Sequence, residues 1–195
     1  MTTVRVGWLS VLAAFLIAAS SATGEEPPPS VPPGETAPAT TDAADRADHA
    51  AWVGTWTLDE DASDSIEKML DVMDVSWYVR AVAKAFTPQF EVAEEGRGLA
   101  WTSSTPLGTR TQHFRADDVD YPGEDQLERT FVQRSVWAPD GHLLVDRTTT
   151  LPSGKKVRVR SNWSLDGATL VNHLNVTPED ADPFQLRRVF VRADS

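Results

Sequence analysis

After residue 88 the chain alternates apolar and polar residues with a period of two. This predicts strands at Gln89–Ala93, Leu99–Ser104, Thr109–Arg115, Leu127–Trp137, His142–Thr150, Lys156–Trp163, Ala168–Val176 and Gln185–Arg192. The breaks between them carry turn chemistry, as at Glu95-Gly96, Pro106-Leu107-Gly108, Pro122-Gly123, Pro139-Asp140-Gly141, Pro152-Ser153-Gly154 and Asp166-Gly167. An earlier alternating run, Trp52–Leu58, predicts a first strand, and Gly54 inside it marks a bulge or a close backbone approach. Between this strand and the rest the period changes. Ile66, Met69, Leu70 and Met73 recur at i, i+3, i+4 and i+7, the stripe of a short amphipathic helix. A second helix is predicted from Trp77 to Phe86, with Trp77, Val79 and Val82 as its apolar stripe. It ends at Thr87-Pro88 because the residue before a proline leaves the helical region. Short, regular spacing without helices between strands implies antiparallel neighbours. The expected fold is all-β: an up-and-down antiparallel β-barrel of about ten strands with a two-helix lid after the first strand. A two-layer sandwich is the competing arrangement.

The N-terminal quarter breaks this pattern. Arg5, the apolar run Trp8–Ala19 and the small residues up to Gly24 have the order of a secretory signal peptide, and the run is short for a membrane span. An uncleaved anchor is the alternative. Residues 25–50 hold Pro27, Pro28, Pro29, Pro32, Pro33 and Pro38 among small and acidic residues, and read as a disordered Pro-rich tether. The folded domain is therefore expected at 51–195, exported to the periplasm or secreted, and monomeric, with no stable membrane insertion once the signal is removed.

Charge and composition narrow the function. Of the net charge of −11, residues 1–50 contribute −4, which leaves the domain at about −7. That is the wrong sign for a nucleic-acid partner, whose phosphates need a basic face. The absence of cysteine excludes disulfides, thiolate metal sites and cysteine nucleophiles together. His49, His113, His142 and His173 show no metal spacing, no Gly-x-Ser-x-Gly elbow is present, and there is no Gly-rich phosphate loop, so neither a cofactor nor a catalytic set is expected.

Gly54-Thr55-Trp56 opens the first strand with a Gly-x-Trp, the helical pair follows at once and ends in Thr87-Pro88, Gly141–Val145 and Gly154–Val159 form a late hairpin pattern, and Arg188-Val189-Phe190-Val191-Arg192 closes the chain. Taken in this order, these segments resemble the intracellular lipid-binding family, the fatty-acid- and retinoid-binding proteins of the calycin superfamily. The resemblance implies non-covalent binding of a fatty-acid-like lipid inside the barrel. It also implies an anion site of two arginines and a tyrosine, and here the chain departs. Arg188 matches, but Phe190 stands where the tyrosine would be. Counting back from Asp166-Gly167, Ser161 falls nearest the second arginine's position, sharing a face with Val159 and Trp163 and leaving Arg158 and Arg160 outward, an assignment that a one-residue slip reverses. The family is also cytosolic, whereas this chain carries an export signal.

Taking the closing strand as guide, Leu186, Arg188, Phe190 and Arg192 share the cavity face. The residues expected to line the ligand site are Arg188, Phe190, Leu99, Trp101, Phe114, Phe131, Gln133, Trp137, Trp163 and Asn172. Phe90, Val92, Ser103, Arg110, Gln112, Ser135, Asp146, Thr148 and Leu174 are expected on the same face. The aromatics either surround a ligand or fill the core. Arg188 either meets a ligand anion or pairs internally with Asp146. Two alternatives to a binding protein stand: a filled calycin-like structural or interaction module, such as an inhibitor or envelope-stress protein, and an enzyme on a similar barrel.

Overall fold

The alternating segments pair into one antiparallel sheet of ten strands: β1 (Gly54–Asp59), β2 (Gln89–Glu95), β3 (Gly98–Thr105), β4 (Gly108–Phe114), β5 (Tyr121–Glu124), β6 (Thr130–Trp137), β7 (Leu143–Thr150), β8 (Lys156–Asp166), β9 (Thr169–Pro178) and β10 (Phe184–Arg192). The computed structural model describes residues 49–193, apart from 106, 107, 126 and 128. The signal peptide and most of the tether expected from the sequence lie outside the described residues. The strand order is β4-β3-β2-β1-β10-β9-β8-β7-β6-β5, an up-and-down meander whose first and last strands pair in the middle of the sheet.

The sheet curls so that one face of every strand turns to a shared interior. Among the described residues no backbone ladder joins its two edges, β4 and β5, and the bonds across this seam run from β4 and the residues after it to β6. Gln112 Nε2 on β4 donates to Gln133 Oε1 on β6 at 2.7 Å, Ala116 N donates to Ser135 Oγ at 3.1 Å, and Asp118 N donates to the Ser135 carbonyl at 3.0 Å. The seam strand β5 corrects an expectation. Pro122-Gly123 read as a turn, yet both lie in a strand paired only with β6. An edge strand tolerates proline because one of its sides has no ladder to feed. Leu127 and Arg129, expected in β6, instead precede it, and Asp125 Oδ1 accepts from the backbone N–H groups of both.

Two helices, α1 (Glu67–Val72) and α2 (Trp77–Ala85), cross one end of the barrel. Met69, Leu70, Met73, Val75 and Val79 bury their side chains against Leu151, Val157, Leu174, Val176 and Leu186. Helices this short do not hold together alone, so this contact is what maintains them. Arg80 finishes the joint. Its Nε donates to the Val75 carbonyl at 2.9 Å and its Nη2 to the Leu70 carbonyl at 3.1 Å, an acceptor it shares with Val75 N. The stripe expected on α2 is corrected at one position: Val79 is buried, but Trp77 is 80 % exposed.

The opposite end, the base, is sealed by the entering chain. His49 stacks on Trp137 with ring centroids 4.1 Å apart, Trp52 meets Trp137 edge-on at 5.2 Å, and Trp56 Nε1 donates to the Trp52 carbonyl at 2.9 Å. Arg192 lies over the Trp56 ring and donates to the carbonyls of Val53 and Ala51, each at 2.7 Å. Gly54 makes room for this clamp. A Cβ there would sit 2.4 Å from the Arg192 Nη1, and its φ of +139° suits glycine.

Candidate ligand site

The interior is built in three layers, and three adjacent strands show the same switch. Along β8 the inward residues run Val159, Ser161, Trp163; along β9, Leu174, Asn172, Leu170; along β10, Leu186, Arg188, Phe190. The first of each set packs beneath the lid and the last joins an aromatic cluster at the base, with a polar residue between them. Ser103 on β3, Gln112 on β4, Gln133 on β6 and Arg147 on β7 extend this polar layer around the barrel.

The base layer is dense. Phe90 stacks on Trp101 at 4.8 Å, Trp101 meets Trp163 edge-on at 4.4 Å, and Phe190 meets Phe90 at 4.9 Å. Trp56, Trp101 and Trp163 are almost completely buried. Edge-on and offset aromatic pairs add about 0.5–1.5 kcal/mol each beyond their buried area. Of the residues expected to line the site, Leu99, Trp101, Phe114, Trp163 and Phe190 belong to this cluster. Trp137 packs against its lower side as part of the seal, its Nε1 donating to the Arg97 carbonyl at 3.1 Å.

The polar layer holds the remaining expected residues: Arg188, Gln133 and Asn172, with Phe131 beside them. Arg188 is buried, and its Nη1 donates to the Asp64 backbone carbonyl at 2.8 Å, in the segment that leads into α1. Burial pulls its pKa below the ordinary arginine value, opposed by the charges of Glu60 and Asp64. Its expected partner Asp146 is elsewhere. The inward face of β7 is set by the buried Leu143 and Val145, so Asp146 and Thr148 point outward, contrary to expectation. The Asp146 carboxylate lies between Arg158 and Arg160 on the outer face, bonded to Arg158 Nε at 2.8 Å.

The same parity turns Arg147 inward, a residue that sequence reasoning passed over. Its guanidinium lies 4.4 Å over the Phe131 ring, and its Nε donates to Gln133 Oε1 at 3.0 Å. Burial lowers its pKa to about 10, against the pull of Asp125, so it keeps its charge at neutral pH. The signal was ambiguous: Leu143 and Val145 are apolar at the inward spacing, but Leu144 is apolar at the other parity. Two other expectations are corrected. Arg110 is exposed near the start of β4, and Arg192 lies across the base rather than inside.

Several inward polar atoms have no partner in the protein: Trp101 Nε1, Ser103 Oγ, Gln112 Oε1, both amide atoms of Asn172, and Arg188 Nε. Buried polar groups are ordinarily bonded, and each one left unmade costs about 1–3 kcal/mol. They are concentrated in and next to the polar layer. Among the described residues, no cluster of His, Asp or Glu could hold a metal ion.

No family model matches the chain, and no curated protein does. Solved structures do. A Caenorhabditis elegans protein, lipid binding protein 8, superposes with a TM-score of 0.58 at 15 % identity, over 74 % of this chain and 96 % of that one. A Schistosoma mansoni fatty acid binding protein in complex with arachidonic acid gives 0.56 at 17 %, over 74 % and 98 %. Zebrafish ileal bile acid-binding protein complexed with cholic acid gives 0.54 at 18 %, over 73 % and 99 %. The fold is therefore that of these lipid-, fatty-acid- and bile-acid-binding structures.

Proposed function

We propose that this protein is a binding protein, not an enzyme, and that it takes up a hydrophobic or amphipathic, fatty-acid-like small molecule non-covalently inside the barrel. One observation carries the reading. A layer of inward polar groups, with two desolvated guanidiniums and several unpartnered atoms, lies between two apolar layers. A long-chain molecule with one polar end matches that order of surfaces. The lid is closed in this structure, so uptake requires α1 and α2 to move, and the pliable side chains of Met69 and Met73 suit a surface that must repack. The test is displacement of an environment-sensitive fluorescent fatty acid by myristate and by the matching alcohol, in wild type and Arg188→Gln. The expected result is tighter binding of the acid, falling roughly ten- to a hundred-fold in the variant, with the alcohol hardly affected. Failure of any amphiphile to bind overturns the reading.

A second reading is favoured by the density of both apolar layers, in which Leu70, Trp101 and Leu170 are wholly buried. It makes the barrel a filled structural or interaction module, and absence of binding in the same titration would establish it. The proposal includes export, on the order of Arg5, the apolar run and the small residues. N-terminal sequencing of the mature protein is expected to start between Ala22 and Glu25, and a start at Met1 or Thr2 overturns it.

A further inference from the structure

The unpartnered atoms of the polar layer are not all of one kind, and this constrains the ligand further. Arg188 Nε, Trp101 Nε1 and Asn172 Nδ2 are donors, and a carboxylate could satisfy them. Asn172 Oδ1 and Gln112 Oε1 are acceptors, and a carboxylate, which only accepts, cannot. Asn172 is completely buried on the inward face of β9, and in the ladder it is the direct cross-strand partner of Arg188. Side chains so placed stand roughly 5 Å apart at their Cβ atoms. A ligand group donating to Asn172 must then lie only a few atoms from the group that Arg188 holds.

Resting on the binding reading above, we propose that the ligand is a hydroxylated amphiphilic acid whose hydroxyl sits close to its carboxylate. The carboxylate faces Arg188. The hydroxyl donates to Asn172 Oδ1 and accepts from a neighbouring donor, which only a group of both characters can do. A plain fatty acid would leave the Asn172 carbonyl buried and unbonded, and an acid with its hydroxyl at the far end of the chain would place that group in an apolar layer.

The test is a displacement titration of the full mature chain with myristate, β-hydroxymyristate and ω-hydroxymyristate. The β-hydroxy acid is expected to bind about tenfold tighter than the other two. In Asn172→Leu, which has similar volume and no polar atoms, the three affinities should fall within about twofold of one another. The melting temperature of the unliganded variant should not drop, since an unpartnered amide has been removed. Equal affinities in wild type, or a β-hydroxy preference that survives in Asn172→Leu, would overturn the proposal while leaving lipid binding in place. If none of the three acids binds, both the proposal and the binding reading fall. The wild-type comparison of the three acids decides the matter even if the variant does not fold.

Discussion

At the scale of single residues, Asp146 shows how a charge finds its side of a sheet. Turned inward it would face the apolar side chains of Leu143 and Val145, whereas outward it meets two guanidiniums. The hydrogen bond from Arg158 is the main reason its carboxyl titrates below the ordinary value of 3.8, with burial working against it. A depressed folded pKa means that the ionised form stabilises the fold above the unfolded value, and that this is lost as pH falls through the folded one. Asp146→Asn is therefore expected to melt below wild type at neutral pH, by less than about 1 kcal/mol because the pair is partly solvated. The two melting curves should converge in strong acid, and a pH series of thermal melts checks this. The same position explains what sequence reading missed. Arg188 could be placed inside because Leu186 and Phe190, two residues to either side of it, are both apolar. Arg147 could not, because Leu143, Leu144 and Val145 are all apolar and either parity was open.

Among the elements, the strands and helices were legible where one periodicity ran unbroken, as in the α1 stripe and in β8 to β10. They were not legible where an edge relaxes the rules. β5 contains a proline and a glycine in four residues, a composition that an edge strand accommodates. The helical lid follows its packing rather than its own stripe. Leu70, wholly buried beneath α1, is expected to lose about 2–5 kcal/mol of unfolding free energy on substitution by alanine, measured by urea denaturation. Trp77, expected from the sequence to pack inward, stands in solvent beside Tyr78, their rings 6.1 Å apart. Acrylamide should quench one tryptophan population readily in wild type, and Trp77→Phe should remove that component while leaving the buried tryptophans protected.

For the whole molecule, the order of strands sets where it opens first. The long ladders of β8, β9 and β10 sit centrally, whereas β4 and β5 are edges, and β4 is tied across the seam to β6 by the Gln112–Gln133 bond. Native-state hydrogen exchange should show the β4 and β5 amides exchanging well before those of β9, and Gln112→Leu should widen the difference. One further consequence follows from the clamp at the base, where Arg192 grips the carbonyls of Ala51 and Val53 and Ala193 N bonds the Thr55 carbonyl at 2.9 Å. The two ends of the domain leave side by side, from the open end of the β1–β10 pair. Mechanical tension applied between them would load that pair one bond at a time, like a zipper, rather than all together in shear. Pulled by its ends in an optical trap, the barrel should yield at low force, with β1 and β10 parting first. Held by its N-terminal end alone, it would carry no load across the fold.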